Sequence, residues 1–576
     1  MTSEPTPRDR RPLLLIPLAA LIAVLPLIVH GCSCGHDFDF HLLSWIEAAN
    51  QFGHGNLHPH WAYTPAFNAG EPRFVFYPPI SWYLGALLGL VLVHLPWIGE
   101  VAGWTAAPIV FTWIALTASG LALYRLAREF VTPNAALVAS ALYLANPYML
   151  FTAYERTAYG ELLAAAWMPL LVLAILRARV TIAGIALPLA LLWLTNAPAA
   201  VMGSYTLALL AAIRLASTFR TDAQRQPPLQ LALKVIAGTA LGLALAGFYI
   251  LPAAYERRYV QVSMATIAGM RIDENFLFGH TGSSSDALLH DAVLHTVSLI
   301  AVVLLSVTAV ALVALFLFRK SSMQVERSRD SQQPAVAIPI LPLTILTLAI
   351  GFLLTPWSAT IWNHAPQATF LQFPWRLLAV LAVALALAVA GALDRLRLSS
   401  AMTAVLALAL VAALTFPAYR VLGQHCDPED TASARLALFH SSAGTDPTDE
   451  YTPITADNDA LKPNVPPYWL ADSPGTPAPA TAAPGATPSH FIVSAEHTED
   501  LILNLRDYPA WRVTLDGATD SQREHRDDGL IAFLIPVGHS TIDLRYILMP
   551  DQMLGDAASL LTLALLVITL RTRRAR

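Results

Sequence analysis

Apolar residues fall in long runs separated by short polar breaks, and the runs decide the class of protein. They lie near 13–31, 80–98, 104–124, 134–151, 162–176, 181–195, 199–214, 234–252, 292–318, 336–354, 375–393, 401–416 and 553–570. A helix needs about 17–25 apolar residues to cross a bilayer. The thirteen runs therefore predict a polytopic, mainly α membrane protein with about 12–14 spans. The pattern changes once. Residues 490–550 alternate in short stretches at 490–495, 501–506, 511–516, 530–535 and 541–547, with turn signals at Asp516-Gly517, Asp528-Gly529 and Val537-Gly538. This predicts a small antiparallel β-sandwich or sheet before the last membrane helix.

The domains follow from those patterns. Residues 1–416 form the membrane body, with a long first outer loop at 32–79. Residues 417–489 are irregular and end in a Pro/Ala/Thr linker at 473–489. The β domain at 490–550 follows, then the terminal helix and basic tail at 551–576.

Composition removes the soluble alternatives. Of 576 residues, 55% are hydrophobic and 13% charged, and mean hydropathy is +0.53. Soluble domains carry about 25% charge. A net charge of −5 gives no electrostatic footprint for nucleic acid.

Charge also sets the orientation. Arg8/Arg10/Arg11, Arg125/Arg128, Arg177/Arg179, Arg214/Arg220/Arg225/Lys234, Arg319/Lys320/Arg327/Arg329, Arg395/Arg397 and Arg571/Arg573/Arg574/Arg576 hold most of the basic residues. By the positive-inside rule all are cytoplasmic. The reading places both termini in the cytoplasm and the β domain outside. One parity conflict remains, because residue 32 is outside, residue 125 inside, and two runs lie between. Either 80–98 or 104–124 does not fully cross, or a crossing hides between them; a re-entrant or half-crossing helix at 80–98, bracketed by Pro78, Pro79 and Pro96, is the favoured solution. Val29-His30-Gly31-Cys32 superficially looks like a lipoprotein cleavage site, but its His is wrong for one, so the segment reads as an anchor. Cys32, Cys34 and Cys426 all fall outside, and either of the first two could pair with Cys426.

Candidate chemistry gathers on the outer side. Gly35-His36-Asp37-Phe38-Asp39-Phe40-His41 sets two carboxylates and two imidazoles just after the first helix. A helix starting near Phe38 makes Asp37 its N-cap or a general base. Phe38, Leu42, Trp45 and Ile46 then form a stripe lying on the membrane. Asp39, among aromatics, is the second candidate base. His54, His58 and His60 raise the loop to five histidines, without a standard metal spacing. Packing is their plainer role, with a divalent metal as the alternative.

In Tyr154-Glu155-Arg156-Thr157-Ala158-Tyr159-Gly160-Glu161, Arg156 suits a bidentate phosphate contact or a pair with Glu155 or Glu161. Arg376, in Gln372-Phe373-Pro374-Trp375-Arg376, opposes the dipole at a helix start and calls for an anion or for snorkelling. Glu256, Arg257 and Arg258 admit the same readings. Asn196-Ala197-Pro198 marks an outer hairpin. Trp511 either stacks on a sugar or packs in the β core.

These motifs, in this order, resemble the GT-C superfamily of integral-membrane glycosyltransferases. Nearer still is the YfhO family and a bacterial membrane family labelled "6-pyruvoyl-tetrahydropterin synthase-related", a label that implies no pterin chemistry. The resemblance rests on His36 through His41, on Asn68-Ala69-Gly70 through Tyr77-Pro78, on Tyr154 through Glu161 and on Gln372 through Arg376. Tyr508-Pro509-Ala510-Trp511 is similar to the family's YPGW signature, with Ala510 in place of Gly. It implies transfer of a sugar from a polyprenyl-phosphate donor to a glycan, lipid or protein acceptor on the outer face. It further implies Asp37 or Asp39 as the base, Arg156 and Arg376 as phosphate clamps, and His36, His41, Glu161 and Tyr77 as substrate contacts, with no resident cofactor. A lipid or polysaccharide transporter and an envelope-assembly scaffold are the alternatives. Helix cores nearly free of charge disfavour the transporter.

Overall fold

The computed structural model describes residues 9–218, 226–322, 338–396, 398–472, 485–519 and 522–574. Arg8, Arg220, Arg225, Arg327, Arg329, Arg397 and Arg576 of the basic clusters, and most of the 473–489 linker, lie outside the described residues.

All thirteen apolar runs are helical, but fewer are long enough to span. Among the described residues, ten helices have the length and composition to cross a bilayer, or eleven if one bent pair counts as a span. The count falls short of 12–14 for a local reason in each case. Pro79–Val93 has 15 residues and Ile182–Thr195 has 14, rising about 21–23 Å against a hydrocarbon core of about 30 Å. Ile340–Leu353 bends by 95° into the following helical segment at Thr355-Pro356, where Pro356 forbids continuation. Pro78 and Pro79 start the short helix at 79. The chain is thus a multi-pass membrane protein. The exposed leucines, valines and isoleucines of Pro228–Leu245, Ser400–Leu422 and Pro550–Thr569 suit lipid and not water.

The chain divides into two compact units, each assembled from three separate segments. Unit 1 holds Met1–Phe38, Pro108–Leu243 and Thr266–Cys426. Its most deeply buried spans are Pro133–Tyr154, Tyr159–Leu176 and Pro374–Leu396. These helices are rich in Ala and Leu, which lets them pack closely. Pro133–Tyr154 is interrupted where Asn146 caps a new helical start, accepting from Tyr148 N and Met149 N. Asn196 caps Ala197–Thr218 in the same way, accepting from Ala199 N at 2.9 Å.

Cys426 is bonded to Cys34, with Cα atoms 4.9 Å apart. Burial pushes the neighbouring Cys32 thiol up to about 12.

Unit 2 holds Asp39–Ala107, Ala244–Ala265 and Asp427–Arg576. Among its described residues the strands are β1 (Tyr468–Leu470), β2 (His490–Ala495), β3 (Glu499–Arg506), β4 (Trp511–Leu515), β5 (Ala518–Thr519), β6 (Leu530–Ile535) and β7 (Gly538–Tyr546). They form two antiparallel sheets, ordered β1-β3-β6 and β2-β7-β4-β5. Strand β1 lies upstream of the linker. Strand β2 alternates exposed and buried residues, as a half-solvated strand should. Strand β3 is buried nearly throughout, because Leu501, Leu503 and Leu505 face the sandwich while Ile502 packs with Ala66, Ala69 and Leu461. Trp511 is core: Trp61 and Tyr546 meet it edge-on.

The stripe Phe38, Leu42, Trp45 and Ile46 does not lie on a membrane surface. All four are buried in the protein. Trp45 fills the space beside Gly85, where a Cβ would stand 2.1 Å from its ring.

Candidate active site

Unit 1 draws three stretches of backbone together at the ends of its most buried helices. Asp37 N donates to Arg156 O at 2.9 Å and His36 N to Glu155 O at 3.4 Å. Gly35 lies so close that a Cβ there would stand 2.1 Å from Glu155 O. Ser33 Oγ donates to Tyr154 O at 2.6 Å and accepts from Gln424 N at 2.8 Å. Gln424 Nε2 donates to Glu155 Oε2 at 2.6 Å. The disulfide closes the same junction.

Four charges meet there. Arg156 Nη1 donates to Glu161 Oε2 at 2.6 Å, and Arg156 Nη2 lies 3.7 Å from Asp37 Oδ2. Arg376 Nε approaches the same Glu161 oxygen at 3.5 Å. Tyr148 donates its hydroxyl to Glu161 Oε1 at 2.5 Å. Arg376 is steadied by Leu371 O at 2.9 Å and Gln372 Oε1 at 3.3 Å. Trp375 lies under the Arg156 guanidinium at 5.1 Å, and Phe373 under that of Arg376 at 4.9 Å.

Glu161 is thus the anion that Arg376 needs at its helix start, in place of snorkelling. For Arg156, burial works against the charge, but Glu161 and then Asp37 outweigh it and hold the guanidinium above the ordinary arginine value.

Exposure separates the roles these groups can take. Glu161 and both arginines are at most one-tenth exposed, whereas Asp37 keeps 30% and His36 74% of its side chain in solvent. Asp37 is therefore the accessible carboxylate beside a buried guanidinium pair. His36 Nδ1 lies 2.7 Å from Asp37 Oδ1. Two non-glycine residues flank the cluster with left-handed backbone, Thr157 at φ +49° and Gln372 at φ +60°. Such strain persists only where surrounding structure enforces it.

The other predicted residues lie in unit 2. Asp39 is 46% exposed and stands 3.8 Å from Arg435 Nη2, which also pairs with Asp430. His41 is buried, with Tyr77 Oη 3.4 Å from its Nε2. Arg73 packs over Phe40 at 4.4 Å and pairs with Glu71 at 2.8 Å. The His58 and His60 rings meet at 4.4 Å, tilted by 46°, and burial lowers His60 to about 3. Glu256 is fully buried rather than at a headgroup, accepting from Tyr508 Oη and from Gln552 Nε2 at 2.8 Å.

Sequence reasoning gave no role to Tyr148 or Trp375. The Asn146-Pro147 helix start was the available signal for Tyr148, since it re-aims the ring that follows.

No protein-family profile matches the chain, and no curated protein is detectably similar in sequence. Solved structures of similar shape include the arabinofuranosyltransferase AftD from Mycobacteria, at 17% identity and a TM-score of 0.42, over 75% of this chain and 27% of that one. The oligosaccharyltransferase of Archaeoglobus fulgidus in its apo form matches at 16% identity and 0.38, over 74% of this chain and 56% of that one. The archaeal oligosaccharyltransferase AglB, in complex with an inhibitory peptide and a dolichol-phosphate, matches at 15% and 0.40, over 73% and 57%. The chain thus spans about a quarter of the first and little over half of the others. These are distant likenesses of shape, and the chemistry must be read from this chain's own residues.

Proposed function

We propose that this chain is a membrane glycosyltransferase of GT-C type. It moves a sugar from a polyprenyl-phosphate-linked donor to a glycan, lipid or protein acceptor on the extracytoplasmic face of a bacterial inner membrane. The observation that carries the reading is the accessible Asp37 carboxylate 3.7 Å from Arg156, whose guanidinium shares the Glu161 carboxylate with Arg376. The order of motifs that resembles GT-C proteins supports the same reading.

Asp37 takes the proton of the acceptor hydroxyl, and His36 orients that carboxylate. The oxygen attacks the anomeric carbon, and the bond from that carbon to the phosphate oxygen breaks. The lipid phosphate leaves with the electron pair. Negative charge grows on that phosphate, where preorganised donors in a dry site act most strongly. Arg156 and Arg376 supply them, and Trp375 keeps the Arg156 plane fixed. Glu161 holds the two guanidiniums at one spacing and takes no proton. Asp37 is assigned as base over Asp39 because it stands beside the clamp. No step is given to His41 or Tyr77, whose positions are packed. Charge neutralisation by arginine needs no divalent ion, so transfer is expected to persist in EDTA.

The test is transfer of radiolabelled sugar from polyprenyl-phosphate donors in membranes holding wild type, Asp37→Asn or Asp39→Asn at matched expression. The expected result is a loss of at least a hundredfold in Asp37→Asn and a smaller loss in Asp39→Asn. Equal transfer in all three removes the first-loop base from the mechanism, whereas no transfer with any donor puts the transporter and scaffold readings ahead.

A further inference from the structure

Far along the chain from this cluster, unit 2 gathers a second group of donors that the transfer reaction does not use. Strand β1 pairs with β3 so that Leu470 lies opposite Leu501. That register carries Asp472 past the strand end to the first residue of β3, where its backbone N donates to Glu499 Oε2 at 3.1 Å. The turn between β2 and β3 holds His497 two residues before Glu499. One oxygen from each carboxylate and one imidazole nitrogen all lie within 4.8 Å of one another.

What marks this group is that one imidazole stands between two carboxylates, one of them buried. His497 Nε2 stands 3.7 Å from Glu499 Oε1 and 3.9 Å from Asp472 Oδ2. Elsewhere in the same chain, His490 and His36 meet their carboxylates at 2.8 Å and 2.7 Å, the distance of a direct hydrogen bond. Two ligands held about 2.0–2.1 Å from a tetrahedral zinc stand roughly 3.3 Å apart. The two histidine–carboxylate separations therefore close by about half an ångström when an ion is seated, and the carboxylate pair, within 4.8 Å, closes with them. The Glu499 side chain is fully buried while Asp472 and His497 remain exposed. The site is thus anchored on the sheet and open to solvent on one side.

We propose that Asp472, His497 and Glu499 form a divalent transition-metal site that ties β1 to the β2–β3 turn. One imidazole and two carboxylates select zinc or manganese over magnesium and calcium, which prefer all-oxygen shells. Water completes the coordination. The ion clamps a three-residue strand whose downstream neighbours include the Pro-rich linker, and its role is structural.

The test uses the full chain in detergent, freed of any histidine tag and stripped with EDTA, titrated with zinc chloride and separately with manganese chloride. Calorimetry is expected to show one saturable site and a rise in unfolding temperature. His497→Ala and Asp472→Asn, both at exposed positions, are expected to weaken that site at least tenfold and to remove the rise. Absence of a saturable site with both ions overturns the proposal. So does a site that persists with unchanged affinity in His497→Ala, since the ion then lies elsewhere.

Discussion

At the scale of single residues, Glu161 is the group on which the candidate site depends. It is one buried carboxylate serving two arginines and a tyrosine. Removing one partner of a buried charge network costs about 3–5 kcal/mol, so Glu161→Gln is expected to lower both stability and transfer. Tyr148→Phe is the gentler probe. It removes one hydrogen bond to a charged group, worth about 1.5–3 kcal/mol, and leaves the arginines paired. The expected outcome is a folded protein whose kcat falls roughly tenfold or more with little change in donor KM, measured in the sugar-transfer assay. Unchanged kcat would reduce Tyr148 to packing. Glu256 offers a test of the fold alone. Burial raises its pKa to about 7, so the native state holds a proton there that the unfolded chain has released above about pH 4.5. Stability is then fully present below pH 4.5 and is lost as pH rises through 7, by an amount on the order of 3 kcal/mol. Thermal unfolding between pH 5 and 8 should show this slope. Glu256→Gln, neutral at every pH, should flatten it and unfold at higher temperature than wild type at pH 8.

At the scale of elements, the sequence patterns carried most of the fold. Hydropathy marks all thirteen helical runs because lipid and core both demand continuous apolar surface. Five strands were legible from alternation and turn residues. Strand β1 was not, since Tyr468-Trp469-Leu470 is too short to show a period and gains its partner only from β3. The stripe on Phe38–Gly53 was correct in its period and wrong in its environment. Periodicity shows that a face is apolar, but not whether lipid or protein covers it. Likewise the residues at 154–161 and 372–376 could be singled out separately, while their meeting on Glu161 depends on how three helices pack. One prediction belongs here. The turn at Gly35 exists because nothing larger fits against Glu155 O. Gly35→Ala is expected to fold, since the clash is local. It should displace His36 and Asp37 and cut transfer by at least tenfold, whereas Gly31→Ala, at a position with open space around it but with φ +94°, should cost only stability.

At the scale of the whole molecule, the chain enters and leaves its two units repeatedly, and the disulfide sits at two of those passages. Unit 1 ends its first segment at Phe38 and its last at Cys426, and the Cys34–Cys426 bond joins those two ends across 392 residues. The bond also borders the backbone zipper that places Asp37 beside Arg156. It therefore has two separable effects. In chain-entropy terms, closing so long a loop is worth about 6 kcal/mol for a free chain, and less where lipid already restricts the unfolded helices. Locally, it fixes the segment that carries the base. Cys32 is the poorer partner, because desolvation raises its thiol and the thiolate is the exchanging species. Cys34→Ser and Cys426→Ser are each expected to lower the unfolding temperature in detergent by several degrees. They should also reduce transfer at temperatures well below unfolding. Cys32→Ser should do neither. Ser33 and Gln424 still hold the junction by hydrogen bonds in the serine variants, so activity should fall severalfold rather than vanish. Full activity in Cys34→Ser alongside a lowered unfolding temperature would leave the bond a purely global staple. The position of Asp37 would then rest on Gly35 and the 154–156 backbone alone.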